Sequence, residues 1–321
     1  MSSSSPRTIR IATRASRLAL WQADHVARLL NLAAPEVVVE IVHVSTSGDR
    51  DQTGALSSFG GLGVFTREVQ KAVLDGQADL AVHSLKDLPT ESAAGLCLAA
   101  VPQREETADA LVLPAGAPAI ADLALLPSAA RLGTGSLRRQ AQLLHLRPDL
   151  VFSDVRGNVE TRMRKLDARD YDGLVLAVAG LSRLGFSDRI SLELVPPVMY
   201  AAVGQGALGI ECREADGDLR ALLTQLDDAG ARTRVTAERS LLAHLHAGCH
   251  APVGAATRIE SGDLVLEAVV YSPDGNKRIF AAGRGPTVHS APLGREVADH
   301  LLAQGADRLI GNVLTWQVPM K

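Results

Sequence analysis

A lysine and an aspartate follow within five residues of a short apolar stretch that ends at Val82. The apolar residues 80–82 predict a buried strand, and Ser84, Lys86 and Asp87 follow before Pro89 bars a regular strand from continuing. In an open α/β sheet, ligands bind beyond the carboxyl ends of the strands. A carboxylate in that place can stabilise a positive charge or transfer a proton. The alternative is a polar surface turn, which the arginine-rich segments further along the chain disfavour.

The segment GTGSLRRQ at residues 133–140 places two arginines in the first turn of a predicted helix, just after Ser136. The free N–H groups and the dipole of a helix N-terminus favour an anion. Arg138 and Arg139 oppose that dipole unless an anion compensates them. A bound anion is therefore favoured over a solvated helix face.

Further cations occupy similar positions. Arg156 precedes the start of the next predicted helix, Arg162 lies one turn into that helix, and Arg14 follows the first predicted strand with Ser16 close by. Arginine binds carboxylates and phosphates through two parallel hydrogen bonds. These positions predict a cleft of fixed positive charge and a ligand with several carboxylates or phosphates.

The elements that position these side chains alternate between strand and helix. The predicted strands are 8–12, 37–42, 80–82, 131–134, 150–152 and 173–178, and the predicted helices are 18–32, 66–75, 137–147 and 159–167, the last with Asn158 as N-cap. This alternation predicts α/β architecture with parallel sheets. The Gly- and Ser-rich segment 47–63 predicts a long loop near the site, with a disordered surface loop as the alternative. Beyond the adjacent prolines 196 and 197, helix 232–245, strands 264–271 and 277–283, and helix 293–304 predict a different, α+β region.

Composition limits the class of protein. With 321 residues, 46% hydrophobic and 21% charged, the chain predicts a globular protein of two or three domains. A net charge of −3 argues against a nucleic-acid partner, and no segment is apolar enough to predict a signal peptide or a membrane span. Three widely spaced cysteines argue against a disulfide framework and a cysteine zinc site, so we expect a cytoplasmic location. No P-loop, complete dinucleotide fingerprint or HExxH motif is present, and no metal is expected.

Seven ordered segments, together with HSLKDLP at 83–89, resemble one family, porphobilinogen deaminase, also called hydroxymethylbilane synthase. They are IATRAS at 11–16, GTGSLRRQ at 133–140, VRGNV at 155–159, AVAGL at 177–181, VGQGA at 203–207, RVTAER at 234–239 and AGCHAPVG at 247–254. The resemblance implies two α/β lobes like those of periplasmic binding proteins and a smaller C-terminal α+β domain. It places the first lobe at 1–103 and 204–226, the second at 108–198, and the C-terminal domain at 229–321.

The resemblance also implies a reaction and its residues. Four porphobilinogen molecules would be condensed into linear hydroxymethylbilane with loss of ammonia, primed by a dipyrromethane cofactor bound to Cys249 through a thioether. Asp87 would be the catalytic carboxylate, and a monomer is expected. The implied cofactor-binding residues are Lys86, Ser84, Ser136, Arg138, Arg139, Arg156 and Asp49; the implied substrate-binding residues are Arg14, Ser16, Arg156, Arg162, Arg183 and Gln205.

Two segments depart from the family pattern. Ser58 and Leu62 stand in a stretch where the family often has lysines, and His250 follows the cysteine where the family often has glutamine. These differences affect the expected loop and cofactor contacts, but neither removes a proposed catalytic group. The rival hypothesis is a non-catalytic two-lobed binding protein for an anionic metabolite, which would need neither Asp87 nor a modified Cys249.

Overall fold

The computed structural model describes residues 7–45, 66–248 and 251–311. The predicted loop 47–63, with Asp49, Ser58 and Leu62, lies outside the described residues, as do Cys249 and His250. By backbone proximity the chain forms two compact units, one made of residues 1–105 and 206–232 and the other of 106–205 and 233–321. No helix within the described ranges is long and apolar enough to cross a membrane.

The first unit contains a five-stranded sheet in the order β2-β1-β3-β10-β4. Strands β1, β2 and β3 are parallel, whereas β10 runs antiparallel to both of its neighbours. Its elements are β1 (Thr8–Thr13), α1 (Arg17–Ala33), β2 (Val38–His43), α2 (Arg67–Leu74), β3 (Leu80–Ser84), β4 (Leu96–Ala100), β10 (Leu208–Arg213) and α6 (Gly217–Leu223). Apolar side chains of β1, β3 and β10 pack against the buried face of α1 and against α6 on one side of this sheet.

The second unit begins with another five-stranded sheet, in the order β7-β6-β8-β5-β9. Its elements are β5 (Asp109–Val112), β6 (Arg131–Gly133), α3 (Leu137–Leu146), β7 (Val151–Ser153), α4 (Val159–Asp167), β8 (Gly173–Ala177), α5 (Val178–Arg183) and β9 (Leu192–Leu194). Strands β6, β7 and β8 are parallel, and β5 is antiparallel to both β8 and β9. The parallel strands thus deliver the starts of α3 and α4 to one edge of the sheet.

The remainder of the second unit is an antiparallel sheet of three strands covered by helices. Strands β11 (Val253–Glu260), β12 (Asp263–Tyr271) and β13 (Arg278–Pro286) pair in sequence order. Helix α7 (Ala229–His244) begins in the first unit and continues into the second, where α8 (Ser290–Ala303) and α9 (Ala306–Gly311) follow β13. Side chains of α7, α8 and the sheet form one core, which includes Leu241, Leu266 and Val297.

The architecture confirms the predicted fold class: mixed α/β with a smaller C-terminal sheet and helices. Every predicted strand and helix within the described ranges is present, with ends that differ by a few residues at most. Strands β4, β5, β9, β10 and β11 were not predicted. Strands β4, β5, β9 and β10 are each antiparallel to a neighbour distant in sequence, whereas β11 pairs with the next strand along the chain, β12.

A close contact between α7 and α8 yields a stability prediction. A Cβ atom added at Gly294 would meet the Leu241 backbone nitrogen at 2.9 Å and would also press on the Ala237 carbonyl. We expect Gly294→Ala to lower the free energy of unfolding by about 1–3 kcal/mol, because overpacking forces the two helices apart. Thermal denaturation measures the effect. Gly180→Ala is the matched control, since a Cβ there meets no atom within 4 Å; equal melting temperatures for the two variants would contradict the prediction.

Candidate active site

The end of β3 presents the predicted catalytic segment on a fixed turn. Ser84 ends the strand, and residues Leu85–Asp87 form one turn of 3₁₀ helix. The turn is anchored because Leu85 is buried and its backbone N–H donates to the Ala207 carbonyl over 3.0 Å. Lys86 is half-buried and Asp87 is exposed. The Asp87 carboxylate is therefore accessible to a solute while its backbone is held by the sheet.

The end of β1 lies beside that turn. Strands β1 and β3 are parallel neighbours, with Ile11 opposite Leu80, so both carboxyl ends meet at the same edge of the sheet. Arg14 follows β1, and the Ser16 hydroxyl caps α1 by accepting the Ala19 N–H over 3.3 Å. The structure thus brings Arg14 and Ser16 to the edge that carries Lys86 and Asp87.

A buried glutamine connects these two loops. Gln22 of α1 donates from Nε2 to the Ser84 hydroxyl over 2.7 Å. Because the Ser84 hydroxyl can also donate, it can bind an acceptor while it accepts from Gln22. Sequence reasoning missed Gln22, which has no motif of its own.

His83, the residue before Ser84 in β3, belongs to a second group of buried polar side chains. His83 Nε2 is 3.0 Å from the Glu211 carboxylate of β10, and both side chains are almost completely buried. Gln70 of α2 donates to the same carboxylate over 2.9 Å. This group ties α2, β3 and β10 together next to the turn that carries Asp87.

In the second unit, Arg138 and Arg139 meet a buried aspartate. Asp109, at the start of β5, is 0% exposed, and its two carboxylate oxygens lie 2.7 Å from Arg138 Nη1 and 2.7 Å from Arg139 Nη2. Arg139 also donates from Nη1 to the Val175 carbonyl over 2.9 Å, and Arg138 to the Tyr200 carbonyl over 2.5 Å. Burial opposes ionisation of Asp109, but the two guanidinium charges outweigh it and hold its pKa well below the usual range.

Gln205 joins the same group. Its Nε2 donates to Asp109 Oδ1 over 3.0 Å and to the Thr107 carbonyl over 2.8 Å, with the side chain completely buried. Asp109 therefore brings together Arg138, Arg139 and Gln205, three residues that the sequence predicted for binding. Asp109 itself was not predicted. The available signal was a carboxylate at the start of the apolar stretch 109–112.

One donor of Arg138 is not used by the part of the chain that the structure describes. Its Nε is buried and lacks a hydrogen-bond partner among the described residues. A buried donor without an acceptor is costly, and an anionic group would satisfy it. Ser136, half-buried at the start of α3, makes no capping bond with its side chain. Both features fit a carboxylate-bearing cofactor bound at this helix start.

Arg156 and Arg162 lie together at the start of α4. Gly157 has φ +103°, and the Asn158 side chain accepts the Thr161 N–H over 2.9 Å, which confirms Asn158 as the N-cap. Arg162 donates from Nε to the Gly157 carbonyl over 2.8 Å and so lies back along this turn. Arg156 and Arg162 are half-buried, as is Arg183 at the end of α5. The turn thus holds two guanidinium groups close to one helix start.

The contacts of Asp109 with Arg138 and Arg139 predict both the stability of an Asp109 variant and how that stability depends on pH. Asp109→Asn removes the charge that compensates two buried guanidinium groups, so we expect the free energy of unfolding to fall by about 3–5 kcal/mol at neutral pH. Because the pKa of Asp109 is lower in the folded than in the unfolded protein, its stabilisation is present above about pH 4 and is lost as pH falls below that value. Chemical denaturation between pH 7 and pH 3 should therefore show the difference between wild type and variant shrinking towards acid.

Asp122→Asn is the control for that measurement. Asp122 is exposed and accepts a local bond from the Ala124 N–H. A loss of stability in Asp109→Asn no larger than in this control would contradict the assignment of Asp109 as the shared anchor.

Family models match nearly the whole chain. Residues 9–221 match "Porphobilinogen deaminase, dipyromethane cofactor binding domain", and residues 232–303 match "Porphobilinogen deaminase, C-terminal domain". The porphobilinogen deaminase of Syntrophotalea carbinolica is 45% identical over 95% of this chain and 96% of its own length. That of Gloeobacter violaceus is 47% identical over 96% of this chain and 94% of its own.

Solved structures with a similar backbone include the periplasmic VFT2 domain of Bordetella pertussis BvgS. It is 14% identical with a TM-score of 0.42, covering 73% of this chain and 92% of that one. A periplasmic sulfonate-binding protein from Methylobacillus flagellatus is 15% identical with a TM-score of 0.37, covering 75% and 69%. From the two family models and the two sequence relatives, the chain belongs to the porphobilinogen deaminase family.

Proposed function

We propose that Asp87 is the catalytic carboxylate of this transferase, which condenses four porphobilinogen molecules into linear hydroxymethylbilane and releases four ammonia molecules. The activity is supported by the family models, which cover residues 9–221 and 232–303. The role of Asp87 is supported by its place on an anchored turn at the carboxyl end of a central strand, where it is exposed to a solute.

The chemistry requires a fixed negative charge. As the C–N bond of the aminomethyl group breaks and ammonia leaves, the pyrrole nitrogen donates its electron pair and the substrate becomes a cationic azafulvene. A carboxylate beside the pyrrole N–H stabilises that charge as it develops. A carbon of the neighbouring pyrrole ring then forms the new C–C bond and loses its proton, for which the same carboxylate is a suitable acceptor.

The substrate bears an acetate and a propionate, so a growing chain of pyrroles accumulates carboxylates. We propose that Arg14 and Ser16 at the β1 edge, and Arg156, Arg162 and Arg183 in the second unit, bind the substrate carboxylates, and that Gln205 contributes to this site indirectly. This is supported by the half-buried positions of the four arginines. Gln205 acts by holding Asp109 and the backbone beside it.

For the cofactor we propose Cys249 as the covalent attachment site, with Ser84, Lys86, Asp49, Ser136, Arg138, Arg139 and Arg156 as its binding residues. When bound, dipyrromethane supplies the pyrrole carbon to which the first substrate ring is joined. The Nε donor of Arg138, buried without a partner among the described residues, supports a carboxylate at this helix start. All three guanidinium nitrogens of Arg139 already donate to Asp109 or to the Val175 carbonyl. Each terminal nitrogen carries a second N–H, and we propose that Arg139 binds the cofactor through these.

We propose that the enzyme acts as a monomer in the cytoplasm. All proposed groups are supplied by one chain, and Cys97 and Cys212 are free thiols, as expected in a reducing compartment.

Asp87→Asn tests the central role. The amide is nearly isosteric but provides no negative charge, so we expect single-turnover ammonia release by the holoenzyme to slow by about 10²–10³. Cofactor loading and folding should stay close to wild type. Asp75→Asn, which changes an exposed carboxylate in the same unit, is the control and should release ammonia normally. Near-normal release by Asp87→Asn would assign the chemistry to another residue.

Cys249→Ser tests the attachment site. A hydroxyl is a far weaker nucleophile than a thiolate at neutral pH, so the variant should fold but carry no covalent pyrrole. Intact mass and a colour test for pyrroles measure the loading, with Cys97→Ser as a control that should load fully. A normally loaded Cys249→Ser protein would exclude this attachment site while leaving the family assignment in place.

A further inference from the structure

Two cysteines that the reaction does not use face each other across two strands of the first sheet. In the pairing of β10 with β4, Cys212 lies directly opposite Cys97. Residues directly opposite in an antiparallel pair have Cα atoms about 4.5–5.5 Å apart. That spacing falls within the range a disulfide spans. Both thiols are free in the structure.

The two thiols differ in their surroundings. Cys212 is 0% exposed and belongs to the core with Leu208 and Ile210, whereas Cys97 is half-buried at the edge strand. Burial and the neighbouring Cys97 thiol raise the pKa of Cys212 to about 12. Cys212 therefore stays a thiol at neutral pH.

Cys97 is open to solvent on one side. It lines a cavity of about 360 Å³ between β4 and α6, together with Ala99, Gly217, Arg220 and Thr224. A small oxidant can enter through this cavity and reach Cys97, whereas Cys212 lies behind it. Cys97 is therefore the thiol that an oxidant can reach, and Cys212 is the adjacent thiol with which it can pair.

We propose that Cys97 and Cys212 form a disulfide site that hydrogen peroxide oxidises and that a dithiol can reduce again. The Cys97 sulfur attacks a peroxide oxygen, the O–O bond breaks, and a Cys97 sulfenic acid and water result. The Cys212 sulfur then attacks the Cys97 sulfur, the S–S bond forms, and the hydroxyl leaves with the Cys212 proton as a second water. Two thiols are oxidised to one disulfide and one hydrogen peroxide is reduced to two waters, so no other reactant is needed.

The crosslink would join the two separate segments of the first unit. Strand β4 precedes the point where the chain leaves this unit after Glu105, and β10 follows its return at Gly206. The cysteines are about 115 residues apart in sequence, so the disulfide closes a long loop in the unfolded chain. Such closure stabilises the folded state, and we expect the melting temperature of the oxidised protein to rise by at least about 5 °C.

Peptide mapping of peroxide-treated holoenzyme tests the proposal. The protein is treated with hydrogen peroxide, quenched with catalase, denatured in N-ethylmaleimide and digested with trypsin without reductant. Trypsin places Cys97 in residues 87–104, Cys212 in residues 190–213 and Cys249 in residues 240–258, so the three cysteines are separable. We expect residues 87–104 and 190–213 as one linked species, separated by dithiothreitol.

Cys97→Ser serves as the matched control, because it removes the accessible thiol from a half-buried edge position. In this variant Cys212 should remain fully labelled by N-ethylmaleimide, and peroxide should not raise the melting temperature. Two maleimide-labelled peptides from treated wild type, or Cys97 oxidised to sulfinic acid with Cys212 still labelled, would overturn the proposal. So would a link from either cysteine to residues 240–258.

Discussion

The carboxylate of Asp109 determines where the positive charges of Arg138 and Arg139 lie in the second unit. Two guanidinium groups taken out of water need a compensating charge, and a single buried carboxylate meets both through separate oxygens. A hydrophobic replacement of such a cluster is often as stable, so stability alone does not explain why it is kept. The cluster also fixes orientation: Arg138 is held with its Nε donor buried and without a hydrogen-bond partner among the described residues.

In the first unit, a sheet with parallel strands is built from two separate segments of the chain. The chain leaves after Glu105 and returns at Gly206, and the Glu105 N–H donates to the Gly206 carbonyl over 3.3 Å. The returning strand β10 enters between β3 and β4 and is antiparallel to both. Because β10 also supplies Glu211 to His83, and Ala207 just before β10 accepts from Leu85, the turn that carries Asp87 depends on sequence far beyond it.

Much of this architecture can be predicted from sequence because local signals agree with it. The Asn158 cap, the apolar strands and the end of α3 before Pro148 all follow from local rules, and so does the placement of Asp87 and Arg14 after parallel strands. The partners of the site residues could not be predicted in the same way. Asp109, Gln22 and Glu211 act through contacts with residues 29 to 141 positions away in the chain, and nothing in their immediate neighbours marks them.

Helix α3 is held at both ends by parts of the chain that are otherwise unrelated. At its start Asp109 fixes the two arginines, and near its end His145 Nδ1 lies 2.8 Å from the Gly275 carbonyl in the turn between β12 and β13. A Cβ at Gly275 would come within 2.7 Å of the Ala141 carbonyl oxygen, and the residue has φ +75°. This hairpin therefore resists the length changes and insertions that hairpin tips usually tolerate, because a longer turn would displace a helix whose other end carries the two arginines paired with Asp109.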